Sequence, residues 1–144
     1  MSAGRASRWR GDDGSSLVTF LVLAPVLVMF AELTVLGGRV AVTQGDVDSA
    51  AREAARDASI ARSAESAATA IVPAVDTALS GKGASCRSRS AVLDPSTNFV
   101  AGGSVSVTVT CNVDLSDLGL LNVPGSMQIS STAVEPIDRY RVVE

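Results

Sequence analysis

Two cysteines, Cys86 and Cys111, are the residues of this sequence with the clearest chemistry, because two thiols can be oxidised to a disulfide. Histidine, the usual general base and neutral metal ligand near pH 7, does not occur in the sequence. Two cysteines without histidine complete a tetrahedral zinc shell only with the help of carboxylates, and no carboxylate has a suggestive spacing to both. The serines have no activating neighbour. We therefore predict a disulfide, no catalytic residue, no metal site and no cofactor.

Composition limits the protein classes that remain. The chain has 144 residues, of which 47% are apolar and only 3% are aromatic, so its core must be thin and built from Ala, Val and Leu. The net charge of -3 and the pI near 4.9 provide no basic surface for a nucleic-acid backbone. We expect neither nucleic acid nor a small-molecule substrate among the partners, and no enzymatic activity.

One apolar segment, residues 17–37, is long enough to cross a membrane. Its 21 residues carry a single formal charge, Glu32, and as a helix they would span about 32 Å, close to the thickness of a bilayer's hydrocarbon core. Three arginines precede this segment, and Arg39 follows it. By the positive-inside rule we expect residues 1–16 to be a cytoplasmic basic leader, followed by a single span of the cytoplasmic membrane and an extracytoplasmic remainder.

A cleaved secretory signal is the alternative interpretation of this segment. The basic leader and the 15-residue apolar run Leu17–Ala31 fit a signal peptide, with a cut before Gly38. The chain would then be a secreted small binding module that recognises its ligand through an exposed strand edge. The length of the apolar segment and the internal Pro25 favour the membrane helix. A membrane-anchored enzyme is the third interpretation.

Residues 38–80 are predicted to form an Ala-rich extracytoplasmic helix. Small apolar residues recur in this segment at spacings of three and four, which is typical of one helix face. They are Val40, Val47, Ala51, Ala54, Ala55, Ala58, Ala61, Ala64, Ala68, Ile71 and Val75. We expect Pro73 to end or kink this helix near Ile71.

Residues 81–144 are predicted to form a small β domain. Valines and one cysteine alternate with polar residues over Ser104–Val113, which indicates a strand with one apolar face. Turn signals on either side favour two further strands, Ser88–Leu93 and Met127–Val134. An antiparallel sheet of about three strands needs a cover for its apolar face, and the Ala-rich helix is the candidate.

The two cysteines fall in this β domain. If Cys86 begins the first strand and Cys111 ends the second, an antiparallel hairpin brings them close together, and an oxidising compartment favours their pairing. The crosslink would stabilise the domain by roughly 3.5 kcal/mol in the chain-entropy model. The alternative is two buried free thiols that pack as small apolar groups.

Two parts of the sequence resemble a known family. The N-terminal part has GSSLVTFLVLAPVLV, then Gly-Gly-Arg at residues 37–39 and AAREAAR at residues 50–56. It resembles the TadE- and TadG-like assembly proteins of tight-adherence (Flp) pili. In the C-terminal half, the strand Val105–Cys111, the Pro-Gly-Ser turn at residues 124–126 and the Pro-x-Asp segment at residues 136–138 are similar to the actinobacterial branch of that family.

This resemblance implies a pilin-like fold and a role as minor pilin or pseudopilin, with other pilin or Tad-type assembly subunits as partners. Some members lose their leader to a prepilin peptidase after a Gly that precedes the apolar helix. Here that residue is Gly14, so Ser15 would be the first mature residue and Phe20 the sixth, while Thr19 occupies the fifth position, where Glu is usual. The motif residues carried onto the helix are Ala50, Ala51, Arg52, Glu53, Ala55 and Arg56.

Glu32 is the candidate for an intramembrane assembly contact. A carboxylate inside a membrane is costly, although five residues from the end of the span it lies only about 7.5 Å deep. One interpretation is that Glu32 pairs with a cation of another subunit, such as a mature N-terminal amine, and sets the register of assembly. The other is that its carboxyl group is protonated locally or reaches the membrane interface. The small residues near it, Gly37, Gly38 and Ala41, would also allow close helix contacts.

Taken together, these patterns predict an α+β protein with a long N-terminal helix, transmembrane and then stalk, followed by a small antiparallel sheet. We expect a single-pass, non-enzymatic membrane protein that takes part in assembling a tight-adherence-type pilus or a related envelope apparatus.

Overall fold

The computed structural model describes residues 13–80, 86–114 and 125–140, with side chains from Leu17 onward. Two helices come first, α1 (Asp13–Ile60) and α2 (Ala64–Leu79). Three strands follow, β1 (Cys86–Leu93), β2 (Ser104–Asp114) and β3 (Ser126–Pro136). The predicted α+β architecture, with a long N-terminal helix and a three-stranded antiparallel sheet, is confirmed.

The described chain divides into two compact units, one up to Val35 and one from Leu36. In the first unit, the large apolar side chains of α1 are exposed almost without exception. By length and composition, α1 is able to cross a membrane. The predicted membrane span, residues 17–37, ends two residues beyond the last residue of the first unit. The exact limits of the span stay a prediction.

The core of the second unit is made of small side chains. One face of α1 contributes Val47 and five alanines that are 0% exposed, namely Ala50, Ala51, Ala54, Ala55 and Ala58. The inner face of β2 contributes Val105, Val107, Val109, Cys111 and Val113. Helix α2 adds Ala67, Ile71, Val75, Ala78 and Leu79 to the same cluster. The predicted packing of the Ala-rich face onto the chain's own sheet is therefore confirmed.

The helical segment predicted over residues 38–80 is interrupted earlier than expected. Helix α1 ends at Ile60, and α2 begins at Ala64 after a short break. Ser63 caps α2: its hydroxyl accepts the Ser66 N–H, while the Ser66 hydroxyl accepts the Ser63 N–H. These bonds satisfy two N–H groups that a helix start leaves without partners. Pro73 lies exposed inside α2, so the expected helix end near Ile71 is wrong.

The three strands form a sheet in the order β1-β2-β3, with both neighbouring pairs antiparallel. Predicted and observed strands agree to within two residues at every end. The loop between β1 and β2 closes at Gly103, where an added Cβ would lie 2.6 Å from the Asn98 carbonyl oxygen. Only glycine fits this close approach of two backbone segments.

A disulfide joins Cys86 to Cys111, as predicted. Cys86 lies opposite Val113 in the β1–β2 ladder, and the register shifts between Cys86 and Ser88. This irregularity brings the two Cα atoms to 5.4 Å, within the range that a disulfide spans. The bond ties the first residue of β1 to a fully buried position on β2.

Replacing both Cys86 and Cys111 by Ser should lower the free energy of unfolding by about 3.5 kcal/mol, because the unfolded chain is no longer constrained. Urea unfolding of the detergent-solubilised protein, followed by circular dichroism, measures the change. Reductant should destabilise the wild type by a similar amount and leave the double variant unchanged. Equal unfolding midpoints for the reduced and oxidised wild type would contradict a stabilising crosslink.

Candidate functional site

The candidate functional residues taken from the sequence lie mainly on α1. Gly14 and Ser15 belong to its first turn, because the helix begins at Asp13. Residues 1–12, which precede them in the predicted leader, lie outside the described residues. Phe20, on the same helix, is 72% exposed, and Thr19 is exposed as well. Leader cleavage between Gly14 and Ser15 stays a prediction.

Glu32 lies on an otherwise apolar part of α1. Its side chain is half-exposed, while the neighbouring Phe30 and Leu33 are exposed. Thr34 satisfies its own hydroxyl by donating to the Phe30 carbonyl oxygen, 2.8 Å away. Within the described part of the chain, no hydrogen bond or ion pair reaches the Glu32 carboxyl group. Pairing of Glu32 with another subunit stays a prediction.

The AAREAAR segment divides between core and solvent. Its alanines, Ala50, Ala51, Ala54 and Ala55, are fully buried. Its charged members, Arg52, Glu53 and Arg56, are exposed. The i, i+3 and i, i+4 spacing of a helix explains this division, because it collects the alanines on one face. The alanines of the motif therefore serve the chain's own core, whereas its charges are available at the surface.

Asp48 links α1 to the sheet through its side chain. The Ser131 hydroxyl on β3 donates a hydrogen bond to Asp48 Oδ1 at 2.9 Å, and Arg52 Nη2 lies 2.8 Å from Asp48 Oδ2. Both interactions lower the pKa of Asp48; the Ser131 bond has the largest effect, and partial desolvation opposes it. This link is not evident from the sequence, because Asp48 is one of several charges beside the apolar face and its partner lies 83 residues away.

Two ion pairs hold β1 in place. Arg87 Nη1 lies 3.0 Å from Asp114 Oδ2 on β2, and Arg89 Nε lies 2.9 Å from Asp76 Oδ1 on α2. The four side chains are between 23% and 78% exposed, so solvent screens both pairs and each contributes only about 0–1 kcal/mol. Their main effect is to fix β1 against its two neighbours. Neither pair suggests chemistry on a substrate.

No metal-binding group stands out among residues 17–80, 86–114 and 125–140. No three His, Cys, Asp or Glu side chains in these ranges lie close enough together to hold an ion. The described concavity on α2 is an open groove lined by residues such as Ser63, Thr69 and Pro73.

Replacing Ser131 by Ala should raise the pKa of Asp48 toward its ordinary value of 3.8, because the largest cause of its lowering is removed. In the wild type, the stabilisation from ionised Asp48 is complete above the unfolded-state pKa and is lost as the pH falls through the lower folded-state value. The variant should therefore lose less stability than the wild type over that acidic window. Carboxyl-detected NMR titration and urea unfolding at each pH measure the two effects.

Asp94 provides the matched control. The Ser96 hydroxyl and the Ser96 N–H both bond to its carboxylate and lower its pKa below 3.8. Ser96→Ala should raise the pKa of Asp94 and leave the Asp48 titration unchanged. An Asp48 titration that does not move in Ser131→Ala would contradict the helix-to-sheet hydrogen bond.

Comparison with known proteins points to the same part of the chain. Residues 14–56 match the family model described as TadE-like protein. No match was found among curated proteins or among solved structures. The matched residues begin at Gly14 and end at Arg56, so they include the apolar segment of α1, Glu32 and the whole AAREAAR segment.

The match covers the N-terminal motifs whose resemblance to the TadE- and TadG-like proteins is noted above. It does not extend to the sheet, so the similarity of the C-terminal half to the actinobacterial branch stays a prediction. All of the matched residues lie within α1. Over residues 14–56, the chain is similar to the TadE-like family.

Proposed function

We propose that this chain is a membrane-anchored, non-enzymatic minor pilin or pseudopilin that takes part in assembling a tight-adherence-type pilus or a related envelope apparatus. One observation carries the proposal. The segment that matches the TadE-like model, residues 14–56, contains an apolar helix whose large side chains are exposed within their own unit. Exposed apolar side chains along a helix of this length are stable in a lipid bilayer or against other apolar helices.

The proposed arrangement is N-terminus in the cytoplasm and sheet outside it. The arginines of the leader support this orientation through the positive-inside rule. The disulfide supports it independently, because stable disulfides are rare in a reducing cytoplasm. The partners would be the membrane itself and other pilin or assembly subunits.

A test of the anchor compares two single arginine substitutions at apolar side chains of similar exposure. Leu27 lies at the middle of residues 17–37 and is 58% exposed, whereas Val134 lies on β3 and is 61% exposed. Leu27→Arg should move the protein out of the carbonate-washed membrane pellet, since a central arginine costs about 2.5 to 3.5 kcal/mol on insertion scales. Val134→Arg should stay in the pellet. Loss of the wild type to the wash would contradict an integral anchor.

The same membrane and medium fractions reveal how the N-terminus is processed. Intact mass and the N-terminal peptide should show a start at Ser15 in the membrane fraction if the leader is removed after Gly14. An intact N-terminus in that fraction would agree with a membrane anchor but would contradict pilin-type cleavage of the leader. A start near Gly38 in the medium would favour the secreted binding module.

We further propose that Glu32 makes an assembly contact with a cationic group of another subunit, because no partner within the described chain reaches it. Glu32→Gln should then reduce the amount of chain crosslinked into larger membrane complexes and leave membrane retention unchanged. Glu53→Gln, a change of the same type at an exposed position of the same helix, is the control. Crosslinking that is equal in all three proteins would show that the Glu32 charge has no part in assembly.

A further inference from the structure

Strand β3 forms one edge of the sheet. It has 11 residues, which corresponds to a length of about 36 Å. Strand β2 pairs with one side of β3 along its whole length. On the other side, no strand within residues 13–80, 86–114 or 125–140 pairs with it. The backbone groups on that side are candidates for binding another strand.

The ladder identifies which backbone groups face outward. Just beyond the paired ends of β2 and β3, the Ile137 N–H donates to the Gly103 carbonyl oxygen at 2.9 Å, so the N–H of residue 137 points toward β2. Backbone directions alternate along a strand, and the odd-numbered residues of β3 therefore bond to β2. The outward N–H and C=O groups belong to Gln128, Ser130, Thr132 and Val134.

Among the residues that the structure describes, the opposite edge of the sheet is protected, and this one is not. Strand β1 carries Arg87 and Arg89 in ion pairs, is contacted by α2, and contains the register shift next to Cys86. Charges, bulges and a covering helix are the usual means by which proteins block pairing at a sheet edge. Strand β3 has no lysine or arginine, a regular register, and proline only as its last residue.

Charge and surface chemistry indicate what would pair there. Glu135 is half-buried, and no hydrogen bond or ion pair reaches its carboxylate from the described residues. Three outward positions, Gln128, Ser130 and Thr132, are polar without charge, and Val134 is apolar and exposed. A segment of hydroxyl-bearing and β-branched residues, with a cation beside Glu135, fits these side chains.

We propose that the outer edge of β3 binds an extended segment of a partner protein by antiparallel strand addition, with a basic residue of that segment beside Glu135. A second copy of β3 fits less well. If two copies of β3 paired antiparallel about Ser131, Met127 of one copy would lie opposite Glu135 of the other. Strand β3 contains no lysine or arginine that could pair with Glu135. The proposal does not rest on the proposed membrane or pilus role.

The probe is an acetylated and amidated nine-residue peptide with one arginine followed by alternating threonine and valine. Antiparallel addition puts its N-terminal arginine next to Glu135. Fluorescence anisotropy of the labelled peptide with the full-length protein in detergent should give saturable binding. The same peptide with N-methyl groups on the amides that face β3 should bind about tenfold more weakly or worse, because strand hydrogen bonds are lost. Moving the arginine to the C-terminal end of the peptide, or replacing it by glutamate at the N-terminal end, should also weaken binding.

Three variants test the protein side. Ser130→Pro removes one outward N–H without removing a bond to β2, and an edge strand tolerates proline at such a position. It should reduce binding about tenfold, whereas Ser130→Ala should bind within about twofold of the wild type. Glu135→Gln should abolish the preference for the arginine peptide over the glutamate peptide. The N-methyl comparison uses wild-type protein and stands even if Ser130→Pro does not fold.

Three results would overturn the proposal. The first is equal binding of the N-methylated and unmethylated peptides. The second is slow hydrogen exchange of the amides of residues 128, 130, 132 and 134 before any peptide is added, which would mean that the edge is already covered. The third is a concentration-dependent dimer, seen by light scattering, that Ser130→Pro abolishes and Ser130→Ala retains, which would make a second copy the occupant.

Discussion

Close contact between small side chains is the constraint on which the folded unit depends. The buried face of α1 is almost entirely alanine, and the buried face of β2 is almost entirely valine. Such a core offers little apolar area per residue, so the backbone layers must approach closely for dispersion and burial to offset the loss of chain entropy. The alanine positions are therefore packing surfaces, and their small size is a requirement of the fold.

Several other features follow from this thin core. The disulfide, the Asp48–Ser131 hydrogen bond and the ion pair of Arg89 with Asp76 each join two different elements of the unit. Each contributes modestly compared with the core of a larger domain, yet a domain of this size is stable by only about 5–15 kcal/mol. The disulfide, at roughly 3.5 kcal/mol, is therefore a sizeable share of that margin, and the two polar links add smaller amounts.

The sequence predicts the elements of this protein better than the links between them. Alternation over Ser104–Val113 reveals β2 because a half-buried strand has a period of two. The spacing of the alanines reveals the buried helix face because a helix has a period of 3.6.

The break after Ile60 is not visible in such a pattern, since the apolar spacing continues through Ala61 and Ala64. The partners of Asp48 and Arg89 are equally hidden, because a charged side chain near an apolar face has many possible neighbours until the layers are assembled. The segment that matches the TadE-like family model, in contrast, is recognisable because its sequence signal is local: an apolar run and a short motif on one helix.

The crosslink between Cys86 and Cys111 also affects when this unit becomes stable. In a reducing cytoplasm the bond does not form, so the newly made chain lacks one of the strongest constraints on its β1–β2 hairpin. A chain that stays loosely folded is easier to thread through a secretion channel than a finished domain. In the proposed orientation, the two thiols would be oxidised only outside the cytoplasm, so the disulfide would lock the fold in the compartment where the domain is proposed to work.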